Sequence, residues 1–111
     1  MPNDRTYERH IKSLKLKFGE STPTSLGFTE DISPEGLFIK TSHPLYPGTN
    51  ILVEISTPND QMVFLEGYVM WGKEVPATVA TLAKKAGMGV QIIRFNAGRE
   101  IYMDLWKIPH R

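Results

Sequence analysis

The sequence DISPEGLFIKT, residues 31–41, is a polar turn that runs directly into an apolar, β-prone segment. Asp31 and Ser33 can hydrogen-bond nearby backbone, and Gly36 accepts conformations that other residues avoid. Because Asp31 and Ser33 are two residues apart, an extended backbone would project both side chains from one face. Gly36 also leaves room for a flat ligand or for another backbone. Taken alone, the stretch fits an Asx-type turn that closes a hairpin.

Two arginines, Arg5 and Arg9, lie upstream in the segment RTYER. Each guanidinium group is a planar fork that can bind phosphate or the O6/N7 edge of guanine. Charged termini are common, so the default interpretation of this segment alone is a solvated tail.

Together, the Arg-x3-Arg pair and the following Asp-x-Ser-x2-Gly turn resemble the PilZ domain, a bacterial receptor module for cyclic di-GMP. Residues 67–71, GYVMW, resemble that family's strand ending in Val-x-Trp, and residues 87–93, GMGVQII, resemble its last barrel strand. The resemblance covers nearly the whole chain. It implies an all-β fold, a small antiparallel barrel of about six strands with a flexible N-terminal arm and a C-terminal α-helix.

The resemblance also implies a site for cyclic di-GMP. Arg5 and Arg9 would reach its phosphates and a guanine edge, and their guanidinium planes could stack on a base. Asp31 would accept hydrogen bonds from guanine N1 and N2, Ser33 would add one hydroxyl bond, and Gly36 would leave space for the base. Secondary contacts would come from four further residues: Trp71, Gly87, Met88 and Gly89.

The same resemblance suggests how a signal would leave the site. The arm, residues 1–10, would order over the ligand and change the surface offered to a partner protein in motility, pilus, biofilm or polysaccharide machinery. Asp4 precedes Arg5, where a basic residue would help to hold a second stacked ligand, so we expect one ligand molecule per site. Neither the partner nor the oligomeric state can be predicted from the sequence.

Composition limits the alternatives. The 111 residues suffice for one domain, residues 1–111, and the absence of cysteine excludes disulfides, thiolate metal sites and a cysteine nucleophile. A net charge of +1 shows no basic excess typical of a DNA- or RNA-binding domain. Without a signal-peptide pattern or a long apolar run, we expect a soluble cytoplasmic protein that does not insert into membranes.

Alternating apolar residues and Gly/Pro turns predict a barrel over residues 11–95. The predicted strands are 11–18, 25–32, 36–41, 50–56, 61–73 and 87–95, with a bulge or bend at Gly67. In the second strand, Phe28 and Ile32 are the expected core anchors. Residues 74–86 are predicted to be a loop with some helix, and this segment looks longer than the usual PilZ connection.

A helical period follows over residues 98–108, where Ile101, Leu105 and Ile108 share a stripe with Tyr102 and Trp106 beside it. Pro109 should end this helix. Of the two tryptophans, Trp71 would ordinarily be a core residue, with contact to a guanine at the barrel mouth as the alternative.

The sequence contains no pattern that indicates catalysis or metal binding. The three histidines are scattered, and no paired carboxylates, nucleophile elbow or phosphate loop can be found. The Gly87-Met88-Gly89 segment lacks the third glycine of a dinucleotide fingerprint and is better explained as a strand bend. We therefore expect a protein that is not an enzyme and needs no cofactor.

Two alternatives to a cyclic di-GMP receptor remain open. The first is a PilZ-like adaptor that binds only proteins, although such members often lack the arginines or the turn that this chain has. The second is a small barrel for single-stranded nucleic acid, which needs aromatic residues interleaved in a basic groove. The basic segment, residues 5–17, contains one such aromatic residue, Tyr7, and Phe18, which follows it, has the parity of a buried residue.

Overall fold

A computed structural model describes residues 13–73 and 86–106, except for the side chains of residues 72, 73 and 106. Six antiparallel strands form a closed barrel in the order β1-β2-β3-β6-β5-β4, and one helix follows. The elements are β1 Lys15–Gly19, β2 Ser25–Ile32, β3 Gly36–Lys40, β4 Asn50–Ser56, β5 Met62–Lys73, β6 Gly87–Ala97 and α1 Arg99–Trp106. The predicted fold class is confirmed.

Alternation along the strands fills the barrel interior as the sequence predicts. Leu16 and Phe18 of β1 are buried, as are Ile51, Val53 and Ile55 of β4. Met88 and Val90 of β6 point inward beside them, and Ile92 packs partly buried against the same core. One apolar face per strand therefore closes the barrel around a single core.

Strand β2 is an exception, because its apolar residues face outward over its first half. Leu26 and Phe28 are 61% and 44% exposed, whereas Gly27 and Thr29 point inward. A Cβ atom at position 27 would come 2.9 Å from Ile39 Cγ2, so only glycine fits between the two strands. The prediction that Phe28 is a core anchor is wrong, while the same prediction for Ile32 is confirmed.

Helix α1 packs on the barrel through Tyr102, which is fully buried. Ile101 and Leu105, the expected centre of the apolar stripe, are only partly buried against the core. The buried face is thus rotated by one residue from the prediction, because the Tyr102 ring packs on Phe95 at a centroid distance of 5.1 Å. The predicted end of the helix at residue 108 lies outside the described residues.

Several other predictions also fall outside the described residues. They concern the arm, residues 1–10, residues 11 and 12 of the first predicted strand, and the loop with some helix over 74–85. The prediction that the first strand includes residues 13 and 14 is wrong, since β1 begins at Lys15. The Leu14 N–H donates to the Thr29 hydroxyl and not to a backbone carbonyl. Within the described residues, no helix is long and apolar enough to cross a membrane.

Candidate functional site

A groove of about 420 Å³ opens on the outer surface of the barrel, and we call it the β3 groove. Its floor is β3, one wall is the turn between β2 and β3, and the other wall is formed by β5 and β6. The lining residues are Asp31, Ile32, Ser33, Gly36, Leu37, Phe38, Met70, Trp71, Gly89, Val90 and Gln91. The predicted turn and the predicted tryptophan, far apart in sequence, therefore meet at one place.

Two breaks in strand register turn side chains toward this groove. In β2, the partners of Thr29 and Ile32 are Ile39 and Leu37, so β2 carries one extra residue between them. Thr29 is buried, and in a regular strand Asp31 would share its inward direction. The extra residue instead leaves Asp31 exposed at the edge of the groove. A β-bulge commonly re-aims a side chain in this way.

The second break lies in β5. Val69 pairs with Val90 and Trp71 pairs with Gly89, so Met70 has no opposite residue on β6. Val69 is buried, and regular alternation would place Trp71 inside the barrel with it. Trp71 is instead 49% exposed and lines the groove. The ordinary expectation of a core tryptophan is therefore wrong for Trp71.

Aromatic and glycine residues shape the wall opposite the turn. The rings of Phe38 and Trp71 lie 5.4 Å apart at an interplanar angle of 35°. Gly89 lies beneath the indole, since a Cβ atom there would come within 2.5 Å of Trp71 Nε1. Gly87 packs beneath Phe38 in the same way and does not line the groove. The two glycines let aromatic rings lie close to the strand.

Met88, predicted as a secondary contact, points into the core with no exposed surface. Its side chain therefore offers nothing to a ligand in the β3 groove. The predicted bend at residues 87–89 is also absent from the β3 side, where the register runs unbroken from Gly36–Gln91 to Lys40–Gly87. Three register shifts lie between β5 and β6: between Phe64 and Leu65, between Glu66 and Gly67, and between Val69 and Trp71. The second confirms the irregularity expected at Gly67, although its extra residue, Ile93, lies on β6.

The turn is held by its own hydrogen bonds. The Ser33 N–H donates to the Gly36 carbonyl at 2.9 Å, and the Ser33 hydroxyl donates to the same oxygen at 3.2 Å. The Glu35 carbonyl accepts a bond from the Ile92 N–H of β6 at 2.9 Å. Because its proton is used inside the turn, the Ser33 hydroxyl offers lone pairs to a ligand rather than a donor.

Gly36 is required by the barrel itself. A Cβ atom at this position would come 2.5 Å from the Val90 carbonyl oxygen, on the strand paired with β3. The expected role of leaving space for a base is therefore not needed to explain the glycine. Close approach of two backbones, the other alternative drawn from the sequence, accounts for it.

Six lining residues were not predicted as site residues, and three of them are buried residues of the barrel core: Ile32, Leu37 and Val90. Phe38 and Gln91 are outward residues of β3 and β6, and Met70 is the extra residue of the β5 bulge. The period-2 pattern places Phe38 and Gln91 on the outer face, but it does not indicate which strands are neighbours.

Behind the turn, the buried hydroxyl of Tyr102 donates to the Ser33 carbonyl at 2.6 Å and lies 3.2 Å from the Gly36 carbonyl. Burial raises the pKa of this phenol well above its usual range. Tyr102 does not line the groove, so it contacts the predicted site only through the turn.

Arg5 and Arg9 lie outside the described residues, as does Asp4. None of the described residues lining the groove is basic, and the nearest described lysine on β3, Lys40, lines a neighbouring groove. Over residues 13–73 and 86–106, no cluster of histidine, aspartate and glutamate could hold a metal ion.

The model of one protein family, the PilZ domain, matches residues 3–102. The chain belongs to the PilZ domain family. The resemblance inferred from the turn, the Val-x-Trp strand and the last barrel strand is thereby confirmed. The matched range includes Arg5 and Arg9 as well as the turn that forms the wall of the β3 groove.

Among solved structures, this chain is similar to the Bacillus subtilis inhibitor of motility, MotI/DgrA, with a TM-score of 0.67. The two share 17% sequence identity, and the match covers 93% of this chain and 49% of the other. At this identity the similarity shows the fold alone, and the chain spans about half the length of the protein it matches. No curated protein sequence matches this chain.

Proposed function

We propose that this PilZ domain is a non-enzymatic receptor for cyclic di-GMP, which binds in the β3 groove and alters contacts with a partner protein. The main support for this proposal is that the Asp31–Gly36 turn and Trp71 line the same groove. The sequence supplies the Arg-x3-Arg pair, and the family match extends over it.

The groove has the chemistry to recognise a guanine base. The exposed Asp31 carboxylate accepts hydrogen bonds only, and the N1 and N2 groups of guanine are adjacent donors. Gln91, exposed on β6, offers an amide donor and acceptor to the same ligand. Trp71 and Phe38 give an aromatic wall on which a base can stack. Together these groups favour a purine with a donor edge over a simple anion.

The groove lacks a partner for phosphate. Because no described residue that lines it is basic, the two phosphates of cyclic di-GMP need cations from elsewhere in the chain. Arg5 and Arg9 meet that need in our proposal, each with a bidentate fork. Arg9 lies four positions before Ser13, where the described chain begins, and a fully extended chain spans at most roughly 14 Å over that length.

Ser13 lines the adjacent groove on β2 and β3, which we call the β2 groove. In the proposal, the arm reaches the β3 groove from this neighbouring groove. In the proposal, the ligand draws the arm onto this surface, and the rearranged surface is what a partner in motility, pilus, biofilm or polysaccharide machinery recognises. One ligand molecule binds per site, since Asp4 would oppose a second anion beside Arg5.

Isothermal titration of cyclic di-GMP tests the proposal, with GTP as a control ligand. We expect saturable binding to the wild type with a stoichiometry of one, and a loss of at least tenfold in affinity for Arg5→Ala and Arg9→Ala. Lys12→Ala is a matched control, because it removes a positive charge outside the Arg-x3-Arg pair. A folded wild type that gives no heat would contradict the proposal.

That outcome would favour the adaptor alternative, which has one observation behind it. The β2 groove, about 520 Å³, is lined by Leu26 and Phe28, both large and exposed. Exposed apolar patches of this kind are typical of protein contact sites.

A further inference from the structure

Tyr102 links the proposed ligand turn to helix α1. Its hydroxyl donates across 69 positions of sequence to the Ser33 carbonyl, and it also lies within bonding distance of the Gly36 carbonyl. Both carbonyls belong to the turn whose side chains face the β3 groove. The helix thus reaches the back of the turn while the ligand would occupy its front.

Tyr102 is also the most deeply buried side chain that the structure describes on α1. An eight-residue helix has little stability of its own, so its position depends on such tertiary contacts. The Tyr102 ring is fixed against Phe95, and its N–H donates to the Gly98 carbonyl at 2.9 Å. A shift of the turn would therefore change the position or stability of the helix.

The bond also restricts the turn. Two donors from Ser33 already converge on the Gly36 carbonyl, whereas the Ser33 carbonyl accepts its bond from Tyr102, at 2.6 Å. Without the phenol, the Ser33 carbonyl would lose this donor, and the turn would be held only by the Ser33 bonds to Gly36 and by the bond from Ile92 to Glu35. A site held in one geometry binds with less loss of entropy than one that must order on binding.

We propose that Tyr102 is a positioning residue: it holds the Ser33–Gly36 turn in its ligand-binding conformation and couples occupation of the groove to the docking of α1. The proposal deepens the receptor function and rests on it for the ligand. By reciprocity, a helix that stabilises the bound turn is itself stabilised when the ligand binds. In addition to the arm, the C-terminal helix would then change when a ligand occupies the β3 groove.

Tyr102→Phe removes only the hydroxyl and keeps the ring that packs on Phe95. Val53→Ala is the matched control, since Val53 is equally buried but lies on β4, none of whose residues lines the β3 groove. We expect Tyr102→Phe to weaken cyclic di-GMP binding about tenfold and Val53→Ala to leave the affinity unchanged, although both lower the melting temperature. Equal affinities for wild type and Tyr102→Phe, or an equal loss in both variants, would overturn the proposal.

Amide hydrogen exchange separates this proposal from the receptor function. In the ligand-free protein, Tyr102→Phe should speed exchange of the Ser33 N–H at least fivefold relative to Val53→Ala, and an unchanged rate would overturn the positioning role. In the wild type, cyclic di-GMP should slow exchange of the Tyr102 N–H even though α1 does not line the groove. Binding without that protection would overturn the coupling, whereas absent binding would overturn the receptor function.

Discussion

The indole of Trp71 lies across Gly89, so closely that a Cβ atom at position 89 would come 2.5 Å from the indole nitrogen. The two residues are paired on β5 and β6, next to the bulge at Met70 that turns Trp71 outward. The bulge supplies the direction of the side chain, and the glycine allows the ring to lie close to the sheet. Together they form the aromatic wall of the β3 groove.

Gly89→Ala should move the Trp71 ring without unfolding the barrel. The ring is half exposed and can swing toward solvent, so we expect the melting temperature to change little. The stacking surface would be displaced, and affinity for cyclic di-GMP should fall roughly tenfold, in the range of a lost base–aromatic stack. Tryptophan emission in a Trp106→Phe background would report the movement. Unchanged emission together with unchanged affinity would contradict the role of Trp71.

Asp31→Asn should impair ligand binding and leave stability almost unaltered. Asp31 is exposed, so the free energy of unfolding should change by less than about 0.5 kcal/mol. The amide places a donor opposite a guanine donor, and we expect affinity to fall at least tenfold. Glu35→Gln is the matched control, because Glu35 is an exposed acid of the same turn that does not line the groove. Equal titration curves for the two variants would exclude recognition by Asp31.

Gly36→Ala should lower the stability of the barrel. Its Cβ atom would meet the Val90 carbonyl and separate β3 from β6, and we expect a loss of about 1–3 kcal/mol in the free energy of unfolding. Urea denaturation measures this directly. A variant as stable as the wild type would show that the two strands adjust freely, and the glycine would then need a role in ligand binding after all.

Stability should fall at high pH through Tyr102. In the unfolded chain a tyrosine loses its proton near pH 10, while burial raises the pKa of the folded phenol well above that value. Above pH 10 the unfolded state therefore binds fewer protons than the folded state, and the free energy of unfolding declines by up to about 1.4 kcal/mol per pH unit. Urea denaturation from pH 8 to 11 should show a shallower decline for Tyr102→Phe. Parallel curves would indicate that the folded phenol ionises normally.

Most of the barrel follows from local pattern. Strands β2 and β4 begin and end where the alternation and turn residues place them, and the inward faces of β1 and β4 agree with a period of two. The incorrect predictions lie where a strand departs from the period of two. The side chains of Phe28 and Trp71 face solvent because a close strand approach or an extra residue outweighs their preference for burial.

The site was predictable in part. The turn and Trp71 have recognisable residue types, whereas Gln91 and Tyr102 join the site only through strand pairing and helix docking. Such long-range neighbours leave no spacing signal in a single sequence. Register breaks are equally hard to predict from sequence, since nothing in the residues around Met70 distinguishes a bulge from a regular strand.

Binding of cyclic di-GMP in the β3 groove is tested most directly by a two-dimensional 1H–15N NMR titration of the wild-type protein. The largest shifts should fall on the amides of Asp31, Ser33 and Gln91 and on the Trp71 indole N–H. Shifts confined to the β2 groove around Leu26 and Phe28, or a spectrum unchanged by the ligand, would contradict binding in the β3 groove.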